Sequence, residues 1–175
     1  MALIQCTQKL LTKLDSFDAG SMKESTSILG NWHANLLCIE RRNCILFTND
    51  LTLYSLFLPK VVKAHFQKLA EMFTQALVLN LEAEGFDQHI EPILGEYKNK
   101  LTFTKSNNRS VLGSMNDIAY MVKLRVFDHG GLDHCDCLNL NKKINRIPFK
   151  AIKYHYPIEC LTKLLTPQDK NRMRE

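Results

Sequence analysis

The chain predicts an α+β fold: an antiparallel sheet of about four or five strands, packed by a long helix at about 64–84 and a second at about 109–125. Three observations carry this. Residues Trp32 to Leu58 hold three apolar runs joined by turns too short for a parallel crossover, which makes a three-stranded antiparallel meander over about 32–58. Phe66, Leu69, Ala70, Phe73, Leu77 and Leu81 recur at helical spacing on a wide apolar arc. Val111 or Leu112, Met115, Ile118, Ala119 and Val122 repeat that spacing further on.

Taken in order, Leu3-Ile4-Gln5-Cys6 is a short strand, and Thr7 caps a helix carrying Leu10, Leu11 and Leu14. Asp15 to Ser27 is rich in Ser, Asp, Gly and Met and reads as a surface loop of low order. In the meander, Trp32, Ala34, Leu36 and Cys38 alternate against His33 and Asn35. Arg41-Arg42-Asn43 turns into Cys44 to Thr48, and Asn49-Asp50 turns into Thr52 to Leu58, which Pro59 stops. Leu37, Ile39, Leu56 and Leu58 add apolar character to the second face, so part of that face is covered too. Gly85 ends the long helix, and a short helix over about 87–95 follows. Leu101 to Thr104 is a further strand, and Asn107 or Asn108 caps the helix after it. Asp128-His129-Gly130-Gly131 loosens the chain, Asn139 to Ile152 is of mixed character, and Pro157 opens a last short helix.

The 175 residues suit one domain, taken as 1–167, with 168–175 a charged, disordered tail. With 45% hydrophobic and 23% charged residues, the composition is that of an ordinary globular protein. A net charge of +5, spread over several lysine and arginine pairs, permits an anionic partner without requiring one. The first residues turn polar too early for a signal peptide, and no apolar run approaches a membrane span, so a cytoplasmic protein with no membrane partner is expected. The six cysteines are irregularly spaced, which suits reduced thiols better than a disulfide framework.

The densest polar stretch is the joint from Thr104 to Asp117. A helix start offers unpaired backbone N–H groups and a partial positive charge, and Lys105 and Arg109 would add formal charge for an anion. His33, Asn35, Asn49, Lys105, Asn108, Arg109 and Asn116 therefore form the expected ligand-binding set. An architectural account stands beside it: Asn108 as a helix cap, Arg109 paired with Asp117 or Asp50, His33 and Asn35 on an outer polar face, and Asn49 in an ordinary turn.

Other chemistry finds less support. The stretch Asp128 to Cys137 holds metal-capable groups, but Cys-x-Cys spacing and the lack of a second pair leave a flexible acidic surface loop as the expectation, with no metal and no cofactor. Cys44, Cys135 and Cys160 are conceivable nucleophiles, with His33, His129 or His155 as bases, yet no local pattern marks any as activated. Phosphate-loop, dinucleotide-binding, zinc-protease and nucleophile-elbow motifs are absent from the sequence.

The stretches Trp32-His33-Ala34-Asn35-Leu36-Leu37, Phe47 to Ser55 and Asn108 to Asp117 together resemble a bacterial family of unknown function. Its members stand alone at this size or precede a domain like that of a plasmid-borne third open reading frame. Cys6 to Leu10 and Ile144 to Pro148 are similar to it as well, so the resemblance spans almost the whole chain. It implies a bacterial, cytosolic, single-domain protein, brings no catalytic residues, and hints at mobile elements. The expected function is a non-enzymatic binding or regulatory module for an anionic ligand, nucleic acid or a protein. The alternatives are a small hydrolase or transferase with His33 as base and Arg109 as anion holder, and a nucleic-acid-associated protein of mobile-element or defence origin.

Overall fold

Five strands pair into one open sheet in a computed structural model that describes residues 2–15, 17, 26–97 and 101–166. They are β1 (Ala2–Cys6), β2 (Trp32–Ile39), β3 (Arg42–Asn49), β4 (Ser55–Leu58) and β5 (Leu101–Lys105), in the order β4-β3-β2-β1-β5. The meander is present: β2, β3 and β4 are antiparallel neighbours, with Trp32 opposite Asn49 and Thr48 opposite Ser55. Beyond it the sheet changes sense, because β1 lies parallel to both β2 and β5. Every residue of β1 is buried, as a central strand covered on both faces must be.

The β2–β3 turn places Glu40 and Arg41 at positive φ (49° and 62°), the two-residue geometry that suits the twist of a hairpin. The second turn begins at Asn49-Asp50 as expected but is longer: Thr52 to Tyr54, expected to open the third strand, belong to it, and only Ser55–Leu58 continues the ladder.

One face of the sheet carries Trp32, Ala34 and Leu36 with Ile45, Phe47 and Leu56. It packs against α1 (Gln8–Leu11), α3 (Leu69–Ala83), α4 (Ile90–Tyr97) and α7 (Pro157–Leu165). Phe73 of α3 sits at its centre, with ring centroids 5.1 Å from Trp32 and 4.7 Å from Phe47. The other face carries Leu37, Ile39, Cys44, Leu46 and Phe57 under α5 (Arg109–Asp128) and α6 (Cys137–Ile144). The second face is therefore covered as expected, α5 and α6 lying over Leu37 and Ile39. Leu56 and Leu58 belong to the Trp32 side.

The long helix of residues 64–84 is interrupted. A single turn, α2 (Lys63–Phe66), precedes α3, and Lys68 leaves helical geometry at φ −113° and ψ 21°. No glycine or proline marks this break in the sequence.

The edge strand β4 is closed by side chains. Asn145 Oδ1 accepts the Ser55 N–H at 2.7 Å, Asn145 Nδ2 donates to the Ser55 carbonyl at 2.8 Å, and Asn141 Oδ1 accepts the Phe57 N–H at 3.0 Å. Asn141 Nδ2 donates in turn to Asn80 Oδ1 of α3 at 3.0 Å. Asparagine carries the same donor and acceptor pair as a peptide unit, so two of them four residues apart stand in for a sixth strand and hide an edge that would otherwise pair with another chain. The expected loop 15–27 and tail 168–175 fall largely or wholly outside the described residues.

Candidate functional site

The strand register carries a row of polar side chains across the α5 face. Thr104, Gln5, His33, Thr48 and Ser55 stand side by side on five successive strands. A second, shorter group follows toward the ends of the parallel strands, where Thr7 Oγ1 donates to Asn35 Oδ1 at 3.1 Å and the Ser106 N–H continues the ladder to the Cys6 carbonyl. Polar residues at these positions leave a hydrophilic layer beneath a face that is apolar further along, at Leu37 and Ile39.

Asp50, in the β3–β4 turn, organises the row. Its carboxylate lies 2.5 Å from His33 Nδ1 and accepts from Gln5 Nε2 at 3.4 Å. His33 is wholly buried and Asp50 nearly so. Because a carboxylate can only accept, the amide nitrogen of Gln5 must face it and Gln5 Oε1 must face away. The same reasoning puts the hydrogen of a neutral His33 ring on Nδ1, leaving a lone pair on Nε2. Gln5 Oε1 and His33 Nε2 are both buried without a partner, as is Ser106 Oγ. Most buried polar atoms in native proteins are paired, so three orphans on neighbouring strands form a local concentration of unmet hydrogen bonding.

These strands end at a topological switch point. The chain leaves β1 into α1 on the Trp32 face and leaves β5, its neighbour, into α5 on the opposite face. Open sheets with parallel strands bind ligands outside the carboxyl ends of the strands at such a divergence.

The residues expected to bind ligand separate on this frame. His33 and Asn35 lie in the polar layer. Asn49, opposite Trp32, is on the other face and is consumed by its turn: Oδ1 accepts the Thr52 N–H at 3.0 Å and Thr52 Oγ1 at 2.9 Å, while Nδ2 donates to the Leu29 carbonyl at 2.7 Å. Asn108 is the cap of α5, its Oδ1 accepting the N–H groups of Ser110 and Val111 at 3.1 and 3.2 Å, so two of the helix's free donors are already used. Lys105 ends β5, exposed and on the face of Cys6. Arg109 opens α5, exposed, with no hydrogen bond or ion pair among the described residues. Asp50 is engaged by His33 and Gln5, so the expected Arg109–Asp50 pair is not formed; nor is a pair with Asp117. Asn116 is exposed two turns along α5. No hydrogen bond joins His33 to Arg109.

Gln5 and Thr7 were not anticipated, and Ser106, though part of the expected polar joint, stood outside the expected ligand-binding set. The signal for Gln5 was available: a lone amide inside an otherwise apolar strand is an uncomfortable residue to bury without a purpose.

The stretch Asp128 to Cys137 is ordered rather than loose. Asp133 holds Arg42 at 2.7 Å and Lys60 at 3.1 Å, Asp136 caps α6, and the Leu132 N–H donates to Glu40. Gly131, at φ 101°, leaves no room for a Cβ beside the Glu40 carboxylate. Among the described residues no three His, Cys, Asp or Glu side chains are grouped to hold a metal ion. Burial pushes the Cys44, Cys135 and Cys160 thiols up, and Cys137 to about 12, the opposite of an activated nucleophile. No described helix is long and apolar enough to cross a membrane.

The chain belongs to the family described as a domain of unknown function (DUF6933), which matches residues 3–160. No curated protein and no solved structure matches it.

Proposed function

We propose that this protein is a non-enzymatic binding or regulatory module whose ligand site lies at the carboxyl ends of β1 and β5, with an anion-compatible mouth at Lys105 and Arg109. The observation that carries the reading is a coincidence of unmet groups. Arg109, an exposed cation with no acid partner among the described residues, opens α5 just after strand ends where Gln5 Oε1, His33 Nε2 and Ser106 Oγ are buried and unpaired, while Lys105, also unpaired there, ends β5 on the opposite face. The Asn108 cap already occupies part of the α5 start, so the charge of Arg109, more than the helix terminus, would hold an anion. Asn35 would contribute from the polar layer, and Asn116 would reach only an extended ligand. Asn49 is fully engaged within its turn and would act through the position of Asp50.

Titration with inorganic phosphate at constant ionic strength, followed by amide NMR, tests this. The expected result is saturable shifts at Ser106 and Arg109 that disappear in Arg109→Ala. No shifts, or unchanged shifts in that variant, would overturn it. A nucleic-acid ligand, favoured by the mild basicity and by the resemblance to plasmid-associated proteins, would bind with a steep loss of affinity as salt rises.

A second reading has one observation in its favour. The 2.5 Å Asp50–His33 contact orients the ring as a general base is oriented, with Nε2 free. A hydrolase of this design would turn over p-nitrophenyl phosphate or acetate and lose that activity in His33→Asn. A wild-type protein inert toward both ends the reading.

A further inference from the structure

The side of α3 turned away from the sheet forms, with α4, a groove of about 720 Å³. Ala70, Val78 and Leu94 line it, Leu79 stands on its lip with 53% of its surface exposed, and Glu71 and Glu82 mark its two ends. Ala70, Val78 and Glu82 lie at four-residue multiples along α3, so the groove runs with the helix axis for about 18 Å at 1.5 Å per residue. A helix of about 12 residues laid alongside has that length.

The charge around this groove is of one sign. From Leu69 to Tyr97 the chain has six acids and neither Lys nor Arg, although its net charge is +5. Glu84 is taken up by Arg146 at 2.6 Å, and Glu96 accepts the Ile28 N–H at 3.0 Å. Glu71 and Glu82 have no hydrogen bond or ion pair among the described residues, and both are exposed. A mainly apolar floor, in which Thr74 spends its hydroxyl on the Ala70 carbonyl and Gln75 adds an amide, lies between two carboxylates about three turns apart and is a receptor for a helix with an apolar stripe and basic residues at matching spacing. The same carboxylates repel nucleic acid and acidic peptides.

We propose that the α3–α4 groove docks a basic amphipathic helix of a partner protein. This surface is independent of the site at the ends of β1 and β5. The probe is a fluorescein-labelled Leu/Lys amphipathic helix of about 18 residues, compared by anisotropy with a peptide of identical composition permuted so that the leucines no longer share a face. The intact chain should prefer the amphipathic form by about tenfold. Glu82→Lys and Leu79→Ser, both at exposed positions, should each weaken it about fivefold, the first effect shrinking as salt rises. Arg109→Ala should leave it unchanged. Equal binding of the permuted peptide, insensitivity to both groove variants, or amide shifts that map away from α3 and α4 would each overturn the proposal. So would sedimentation showing that a second copy of the chain already fills the groove.

Discussion

Replacing Asn145 by alanine tests the claim that side chains complete the sheet edge. Asn145 is fully buried and serves both backbone groups of Ser55 at 2.7 and 2.8 Å. The alanine variant strands the Ser55 N–H and carbonyl. Each orphaned group costs about 1–3 kcal/mol, water entry favouring the low end, so a loss of about 3 kcal/mol is expected. Asn141 keeps its helical bond, because its carbonyl also accepts the backbone N–H of residue 145 at 3.0 Å. For a chain of this size the loss corresponds to a fall in Tm of about 6–12 °C. Urea unfolding should show a lower midpoint at an unchanged slope. Exposed β4 should also self-associate, visible as concentration-dependent light scattering. Asn139→Ala, six residues earlier and exposed on α6, is the control and should change stability by less than about 0.5 kcal/mol. A loss at Asn145 below about 1 kcal/mol, or one equal to the control, would refute the reasoning.

Three further outcomes are expected. Arg42 and Lys60 hold the Asp133 carboxyl far below the usual carboxylate range, so it favours the fold above about pH 4 and loses that contribution as pH falls toward its folded pKa. Urea midpoints of the wild type and Asp133→Asn should therefore differ modestly at pH 7 and converge in acid. Gly131→Ala adds a Cβ at φ 101° against Glu40 and should cost about 1–3 kcal/mol, partly recovered by Glu40→Ala, as a double-mutant cycle in urea would show. Long-range ¹H–¹⁵N correlation of the neutral His33 ring should find the hydrogen on Nδ1; Asp50→Asn should remove that preference.

The meander, the long apolar helix and the helix after residue 108 were legible because their information is local: alternation, helical spacing and an asparagine cap. The parallel addition of β1 and β5 was not. It pairs short segments nearly a hundred residues apart, and nothing in Leu3-Ile4-Gln5-Cys6 or Leu101 to Thr104 names its neighbour. The stretch from Asn139 read only as of mixed character because asparagine is a poor helix former, whereas here Asn141 and Asn145 replace a strand. Within the expected site, residue type was a weaker guide than face. His33 and Asn35 shared a face as their alternation required, while Asn49, opposite Trp32, fell on the reverse side. Arg109, for which Asp117 or Asp50 was the expected architectural partner, pairs with neither and has no partner among the described residues.

Hydrogen-bond satisfaction offers a way to divide this chain's polar residues by role. Asn49, Asn80, Asn141 and Asn145 are buried, and each carries out two or more bonds within the fold. Such residues specify architecture, and their loss should register in stability first. Gln5 and His33 are equally buried, yet each spends one end of its side chain on Asp50 and leaves the other unpaired. A sequence under pressure only to fold could place apolar residues there at lower cost, since a half-satisfied polar pair is worse for a core than none. Gln5→Leu is therefore the discriminating substitution. If the row is architectural, removing the amide uncovers Asp50 and destabilises the protein. If the row serves a ligand, stability is kept or raised while phosphate shifts at Ser106 weaken, a separation of stability from binding that no purely structural role produces.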